Sequence, residues 1–243
     1  ILEGTGKFYA SFRLRAQNHA EILVSKGRTG AGTSFRLGSL PMVSDGSIRN
    51  FVSSFMATED NTIVTVSDYD SQVVFISPFG NVTDDSQTFA LNAGESVVVS
   101  GYANVQANLS GFVGALVTST KPIVVNTGNA TGGMSDSGGG QDFNLDQIVP
   151  ADIVGDEYII VKGNGSNNTE LPLVIATEND TDVFVNGSVT PIATLNAGDY
   201  FLIPSSNYLG TTHKNMFISS SKNVYLYQII AGASSDATSG LNF

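Results

Sequence analysis

No cysteine and no tryptophan occur in the 243 residues, and histidine occurs only at His19 and His213. The missing thiols exclude disulfides, thiolate nucleophiles and zinc–thiolate centres together. Each histidine sits in a polar stretch and no G-x-S-x-G elbow exists, so no serine-hydrolase triad is expected. H-E-x-x-H, a Walker loop and G-x-G-x-x-G are absent as well. Charge is scarce, at 14% of residues, and lopsided: 22 Asp and Glu against 11 Lys and Arg give a net charge of −11. That balance argues against nucleic acid, whose phosphates need clustered cations, and against anionic membrane surfaces. No apolar run reaches the roughly 18 residues that would cross a bilayer, so no membrane insertion is expected. A hydrophobic fraction of 41% with so little charge excludes disorder. The chain opens at Ile1 within sequence that reads as folded, as expected of a mature or excised piece of something longer.

What is present is β-structure. The apolar stretches are short, β-branched and bounded by Gly, Asn, Asp or Pro: TIVTVS over Thr62–Ser67, PIVVN over Pro122–Asn126, YIIV over Tyr158–Val161 and NVYLYQII over Asn223–Ile230. Asn186-Gly187, between Val183-Phe184-Val185 and Ser188-Val189, predicts a two-residue hairpin turn, because this dipeptide tolerates the positive φ angles such a turn requires. No long stretch carries a 3.6-residue apolar period. The fold class is therefore all-β.

The chain also repeats itself. Ala57-Thr58-Glu59-Asp60-Asn61-Thr62 is echoed by Ala176-Thr177-Glu178-Asn179-Asp180-Thr181. Leu91-Asn92-Ala93-Gly94-Glu95 is echoed by Leu195-Asn196-Ala197-Gly198-Asp199, and Ser119-Thr120-Lys121 by Ser220-Ser221-Lys222. Order is kept while the separation narrows after the first pair, which places an insertion in the first copy around Asp68 to Gln87. Ile22–Lys26 resembles the strand that ends each copy. The expected organisation is N-terminal strands over residues 1–50, a first β repeat over 51–148 and a second over 149–243. Internally duplicated, antiparallel β-sandwich-like units are the expected architecture, with a propeller-like ring of repeats as the rival. The repeated turn motifs read as structural, through left-handed Gly and Asx side chains bonded to backbone.

Several stretches resemble the N-terminal domain family of IgG-Fc-binding proteins: Lys121-Pro122-Ile123-Val124-Val125-Asn126, Asp146-Gln147-Ile148-Val149-Pro150 and Gly155-Asp156-Glu157-Tyr158-Ile159-Ile160-Val161. The opening Leu23–Gly38 and the ending Tyr225–Phe243 look like the bacterial branch of that family, found on large surface proteins of gliding bacteria beside adhesin-like repeats. The resemblance implies an extracellular, cell-surface module for adhesion or recognition. Its expected partners are a surface, glycan or protein ligand and neighbouring domains of one long chain. It supplies no catalytic residue and no Fc-contact residue.

The residues suggest two candidate sites. Thr127 to Asp146, rich in Gly, Ser, Asn and Asp, is the longest segment without a strand signal and the expected contact loop, with Asp136, Asp142, Asn144 and Asp146 as its polar contacts. Calcium is the one cofactor left open, since it takes oxygen ligands from acid-rich turns; Asp68, Asp70, Asp84 and Asp85 are the candidates, although no EF-hand spacing occurs. A structural spacer is the alternative function. A carbohydrate-active enzyme is the second alternative, and it would need Glu59 or Glu178 to face another acid across a cleft. The sequons at Asn81, Asn108, Asn129, Asn164, Asn167, Asn179 and Asn186 read as a by-product of Asn- and Thr-rich turns.

Overall fold

The computed structural model describes residues 2, 4–8, 10–16, 19–41, 51–77, 82–132, 142–163, 167–168, 170–230 and 240–242. It is all-β. A separate hairpin, β1 (Ser11–Ala16) and β2 (His19–Val24), precedes two equivalent strand sets. The first comprises β3 (Ala31–Arg36), β4 (Phe51–Ala57), β5 (Thr62–Ser67), β6 (Ser86–Leu91), β7 (Ser96–Ser100), β8 (Leu116–Gly132) and β9 (Asp142–Ile148). The second comprises β10 (Glu157–Val161), β11 (Pro172–Ala176), β12 (Thr181–Val185), β13 (Ala193–Leu195), β14 (Tyr200–Leu202), β15 (Asn215–Ser220), β16 (Val224–Ile230) and β17 (Gly240–Asn242).

In the second unit two four-stranded sheets face one another, ordered β10-β15-β12-β13 and β14-β11-β16-β17. The first unit has the same pairings, but its long β8 serves both sheets. Its first half pairs β3 and β5, and its second half pairs β4 and β9. The second unit breaks that strand at Ser221-Lys222-Asn223 into β15 and β16. Both units are thus sandwiches of one plan, and the described strands form no propeller ring.

The repeated motifs latch one end of each sandwich. Lys121 Nζ donates to the Asp60 carbonyl and Lys222 Nζ to that of Asn179. The Thr62 hydroxyl donates to Glu59 O and that of Thr181 to Glu178 O, each at 2.7 Å. The backbone N–H of Ala93 donates to Asp60 Oδ1 at 3.1 Å, and that of Ala197 to Asn179 Oδ1 at 3.0 Å. Three turns distant in sequence are therefore tied by side chains that satisfy backbone groups the strands leave unpaired. Glu59 and Glu178 sit in these equivalent exposed turns, one per unit.

Two cores follow from the pattern. Val174, Ala176, Val183, Met216, Ile218, Val224 and Leu226 fill the second sandwich. Alternate residues of the same strands, Leu173, Ile175, Tyr225, Tyr227 and Ile229, point the other way and join the core of the first unit with Phe35, Leu37, Phe51, Phe55 and Val117. This is why PLVIA is buried at every position: β11 lies between two layers, and such strands read as continuous apolar runs. The units share a core and do not merely touch.

The insertion falls where the sequence places it, between β5 and β6. It is held by Asn108, which is 2% exposed: its Oδ1 accepts the Val74 N–H at 2.8 Å while Nδ2 donates to Val74 O and Tyr102 O. This sequon asparagine is therefore a structural bridge, with its amide fully committed. Asn108→Ala is expected to lower unfolding free energy by about 2–4 kcal/mol, since it orphans buried backbone groups. Urea titration checks it, and a loss below about 1 kcal/mol would show that the bridge carries little.

Candidate functional site

A cleft of about 490 Å³ opens where the units meet. Asp68, Tyr69, Asp70, Ser110, Gly111 and Val113 line it from the first unit, and Leu195, Gly198, Asp199 and Tyr200 from the second. Behind the lining residue Asp68 lies Arg36, the last residue of β3, which is 6% exposed. Arg36 Nη1 donates to the Asp68 carboxylate and, at 3.0 Å, to the carbonyl of Gly114. Asp68 follows β5 with a left-handed φ of 58°. The second unit has Gly187, φ 75°, at the corresponding point, and turns there through Asn186-Gly187 without an insertion. The Leu-Asn-Ala-Gly turn of the second unit rests on the Arg36–Asp68 pair so closely that a Cβ on Gly198 would lie 2.8 Å from Arg36 Nη1.

The other lining groups are fixed locally. Asp70 Oδ1 accepts the Gln72 N–H at 2.8 Å, and the Asp70 N–H donates to Gly111 O at 2.9 Å. Asp199 Oδ2 accepts the Asn196 N–H at 2.9 Å, as Glu95 accepts that of Asn92 in the first unit. The Tyr69 hydroxyl donates to Asp84 O at 2.6 Å. Burial raises the Tyr69 phenol above its ordinary pKa, a hydrogen bond with Gln87 lowers it, and the charges of Asp84 and Asp85 raise it. The cleft thus presents carboxylates and tyrosines on a stiff frame, chemistry suited to a polar or cationic ligand.

Of the four calcium candidates, Asp68 and Asp70 line the cleft. Asp84 lies at the far end of the insertion, where its Oδ2 accepts Gln87 Nε2 at 3.1 Å, with Asp85 beside it. Among the described residues no three Asp, Glu or His side chains converge as a metal ion would require. Of the contact-loop candidates, Asp136 lies outside the described residues. Asp142 opens β9, paired with Gly132. Asn144 and Asp146 are buried on β9. The Asp146 carboxylate faces Lys26 Nζ at 3.4 Å, and Gln147 Oε1 accepts the Lys26 N–H at 2.7 Å. These contacts fasten the chain leaving the N-terminal hairpin to β9. Most of the expected loop is therefore strand: β8 continues to Gly132, and its polar Thr127 and Asn129 are buried and bonded, Thr127 to Gly38 O and Asn129 to the Leu40 N–H.

Sequence reasoning missed Arg36, Tyr69, Asp199 and Tyr200. The available signal was the acid that follows Leu-Asn-Ala-Gly in both copies, which reads as a turn residue until the second copy is packed against the insertion of the first. A buried pair elsewhere in the second unit also went unread. Glu170 is fully buried, with Lys162 Nζ 3.8 Å away and the Gly163 N–H donating to it. Together with burial, its charge raises the pKa of Tyr208 far above the ordinary phenol value.

No helix among the described residues is long and apolar enough to cross a membrane. No curated protein and no solved structure gives a match to the chain. One family does match, over residues 20–243, a range that takes in both sandwiches, the insertion and the cleft between them: the chain belongs to the family described as IgGFc binding protein.

Proposed function

We propose that this chain is an extracellular recognition module of a cell-surface adhesin, which holds a protein or glycan ligand without turning it over. The observation that carries the proposal is the acidic cleft, built from both units on one shared core. A ligand with cationic or hydroxyl groups meets Asp68, Asp70 and Asp199 flanked by Tyr69 and Tyr200. Tyrosine gives contact area at low entropic cost, and the carboxylates steer and orient. Membership of a family named for binding supports recognition over catalysis, and the repeated acids Glu59 and Glu178 occupy equivalent turns of different units, an arrangement without the facing pair that glycoside hydrolysis uses.

The test is binding of the whole chain to an immobilised Fc fragment and to a glycan array, each with and without calcium ions. Wild type is expected to bind at least one of them, more weakly as salt rises. The pair Asp70→Asn and Asp199→Asn is expected to weaken that binding by about tenfold or more, at unchanged thermal stability. If wild type binds neither probe, or the double variant binds as well as wild type, the cleft is not the contact site. The spacer reading draws on the shared core, which makes the two units one stiff body. It is favoured if adhesion by the parent chain survives the double variant.

A further inference from the structure

We propose that the acidic cleft takes the N-terminal hairpin of a second copy of this chain, with Arg13 and Arg15 as the groups that enter it. The inference rests on the reading of the cleft as the contact site, and it names what the cleft holds. Its basis is the uneven spread of charge. Residues 1–30 carry Lys7, Arg13, Arg15, Lys26 and Arg28 against Glu3 and Glu21, a balance of +3, so residues 31–243 carry −14. Among the cations of that remainder, Arg36 and Lys162 lie largely buried in ion pairs, and Lys121 and Lys222 hold the turn latches. The net charge of −11 is therefore a basic N-terminal segment on a strongly acidic body.

The two surfaces match in number and in chemistry. Arg13 and Arg15 are exposed, and as alternate residues of β1 they stand on one face of the strand, roughly 7 Å apart. In the cleft, Arg36 already neutralises Asp68. That leaves Asp70 and Asp199, both exposed, as two uncompensated charges, one from each unit. Each spends one oxygen on a backbone N–H, of Gln72 or Asn196, and keeps the other for a ligand. Tyr69 and Tyr200 flank them. A planar guanidinium stacks on a phenol ring while its N–H groups reach a carboxylate, so arginine fits this lining better than a point charge does.

A chain does not reach its own cleft this way, and β8 measures the separation. Its residue Leu116 pairs with Ser67, the neighbour of Asp68 in the cleft. Asn126 lies much further along the strand, in a groove with Gln147, Phe12 and Leu23 where the hairpin meets the sandwich. The stretch between them amounts to roughly 30 Å of strand. Lys26, bonded to Asp146 and Gln147, fastens the hairpin at that far end. From there β2 lies along β9, whose partners on β8 run from Val125 to Gly132, away from the cleft. The arginines that fill a cleft therefore come from another copy. Hairpin and cleft are different surfaces, so the contact is head-to-tail and leaves one of each open on every pair. Association of this kind grows into chains instead of closing at a dimer.

Sedimentation velocity of the whole chain at low salt tests this. Wild type is expected to pass from monomer to species larger than a dimer as concentration rises, and to return to monomer as salt is added. Two double variants alter exposed side chains only: Arg13→Glu with Arg15→Glu, and Asp70→Asn with Asp199→Asn. Each should leave the melting temperature unchanged and weaken self-association by about tenfold or more. Mixed together, they retain one intact hairpin and one intact cleft between them, so they should form a mixed dimer that grows no further. Wild type that stays monomeric at about 1 mM, or that stops at a dimer, would overturn the inference. So would either double variant associating as wild type does, or a mixture that stays monomeric. Where wild type is monomeric and the Asp70→Asn, Asp199→Asn pair still loses Fc or glycan binding, this inference fails and the cleft stands as the contact site.

Discussion

Alanine in place of Gly114 is expected to lower the unfolding free energy by about 3–5 kcal/mol, among the largest effects a single methyl group can have. Gly114 has φ 83°, a left-handed value that disfavours any side chain, and a Cβ there would sit 1.9 Å from the carbonyl oxygen of Gly198. The obstacle is backbone of the other unit, which cannot swing away as a side chain would. Relief requires the Leu-Asn-Ala-Gly turn of the second unit to lift off the first, disturbing the Arg36 bonds to Asp68 and to Gly114 itself. Gly94 supplies an internal control. It has φ 81° and nothing within 4 Å of its added Cβ, so Gly94→Ala carries only the conformational cost of about 1–2 kcal/mol. Urea denaturation of the two variants separates backbone strain from contact between units. If Gly114→Ala costs no more than Gly94→Ala, the close junction is wrong. The shared core also requires wild type to unfold in one transition, with both units reporting together.

The parts of this structure that local sequence specified are those where local chemistry decides. Thr62–Ser67 alternates and is a half-buried strand; Pro172–Ala176 is apolar throughout and is a strand buried on both faces. The three echoed motifs mark equivalent turns because each must satisfy the same orphan backbone groups. Asn186 and Gly187 take the positive φ angles expected of them, 53° and 75°. The two-residue turn closes, with the Ser188 N–H donating to Val185 O at 3.0 Å, but the return strand does not follow at once. β12 pairs with Ala193–Leu195, and Val189 is left 94% exposed. Asn186 spends its side chain on Asn207 O and the Phe217 N–H, and Pro191 lacks the N–H a ladder needs, so the return strand begins two residues beyond it. What stayed illegible depends on tertiary partners. Gly128 and Asn129 look like loop residues, yet they lie mid-strand because β4 and β9 pair them from both sides. Asn144 and Asp146 look like solvated contact groups and are buried. The cleft belongs to neither copy of the repeat, so no motif within one copy could announce it.

The cleft should also be breakable from behind. Phe112→Ala is expected to cost about 3–5 kcal/mol and to loosen the insertion that forms one wall. Phe112 is 1% exposed and stacks on Phe51 at a centroid distance of 4.1 Å. Phe75 meets it edge-on at 5.6 Å, and Tyr69 lies 5.9 Å away. Phe51 belongs to β4, whereas Tyr69 and Phe75 belong to the insertion, so this ring is the apolar bolt between insertion and sandwich. Removing it leaves a cavity bordered by aromatic rings that are themselves pinned: Tyr69 through its hydroxyl to Asp84 O, Phe75 through its backbone bonds to Val82. Partial collapse is the expected response, and it should draw Tyr69 and its neighbours Asp68 and Asp70 out of register. Ligand affinity should therefore fall even though Phe112 does not line the cleft, and amides of residues 69–76 should exchange faster while those of β12 and β15 keep their protection relative to the global stability. Phe112→Leu, which restores most of the volume, should recover much of both losses. Uniform acceleration of exchange in both sandwiches would instead mean that the aromatic cluster holds the whole fold and has no particular tie to the insertion.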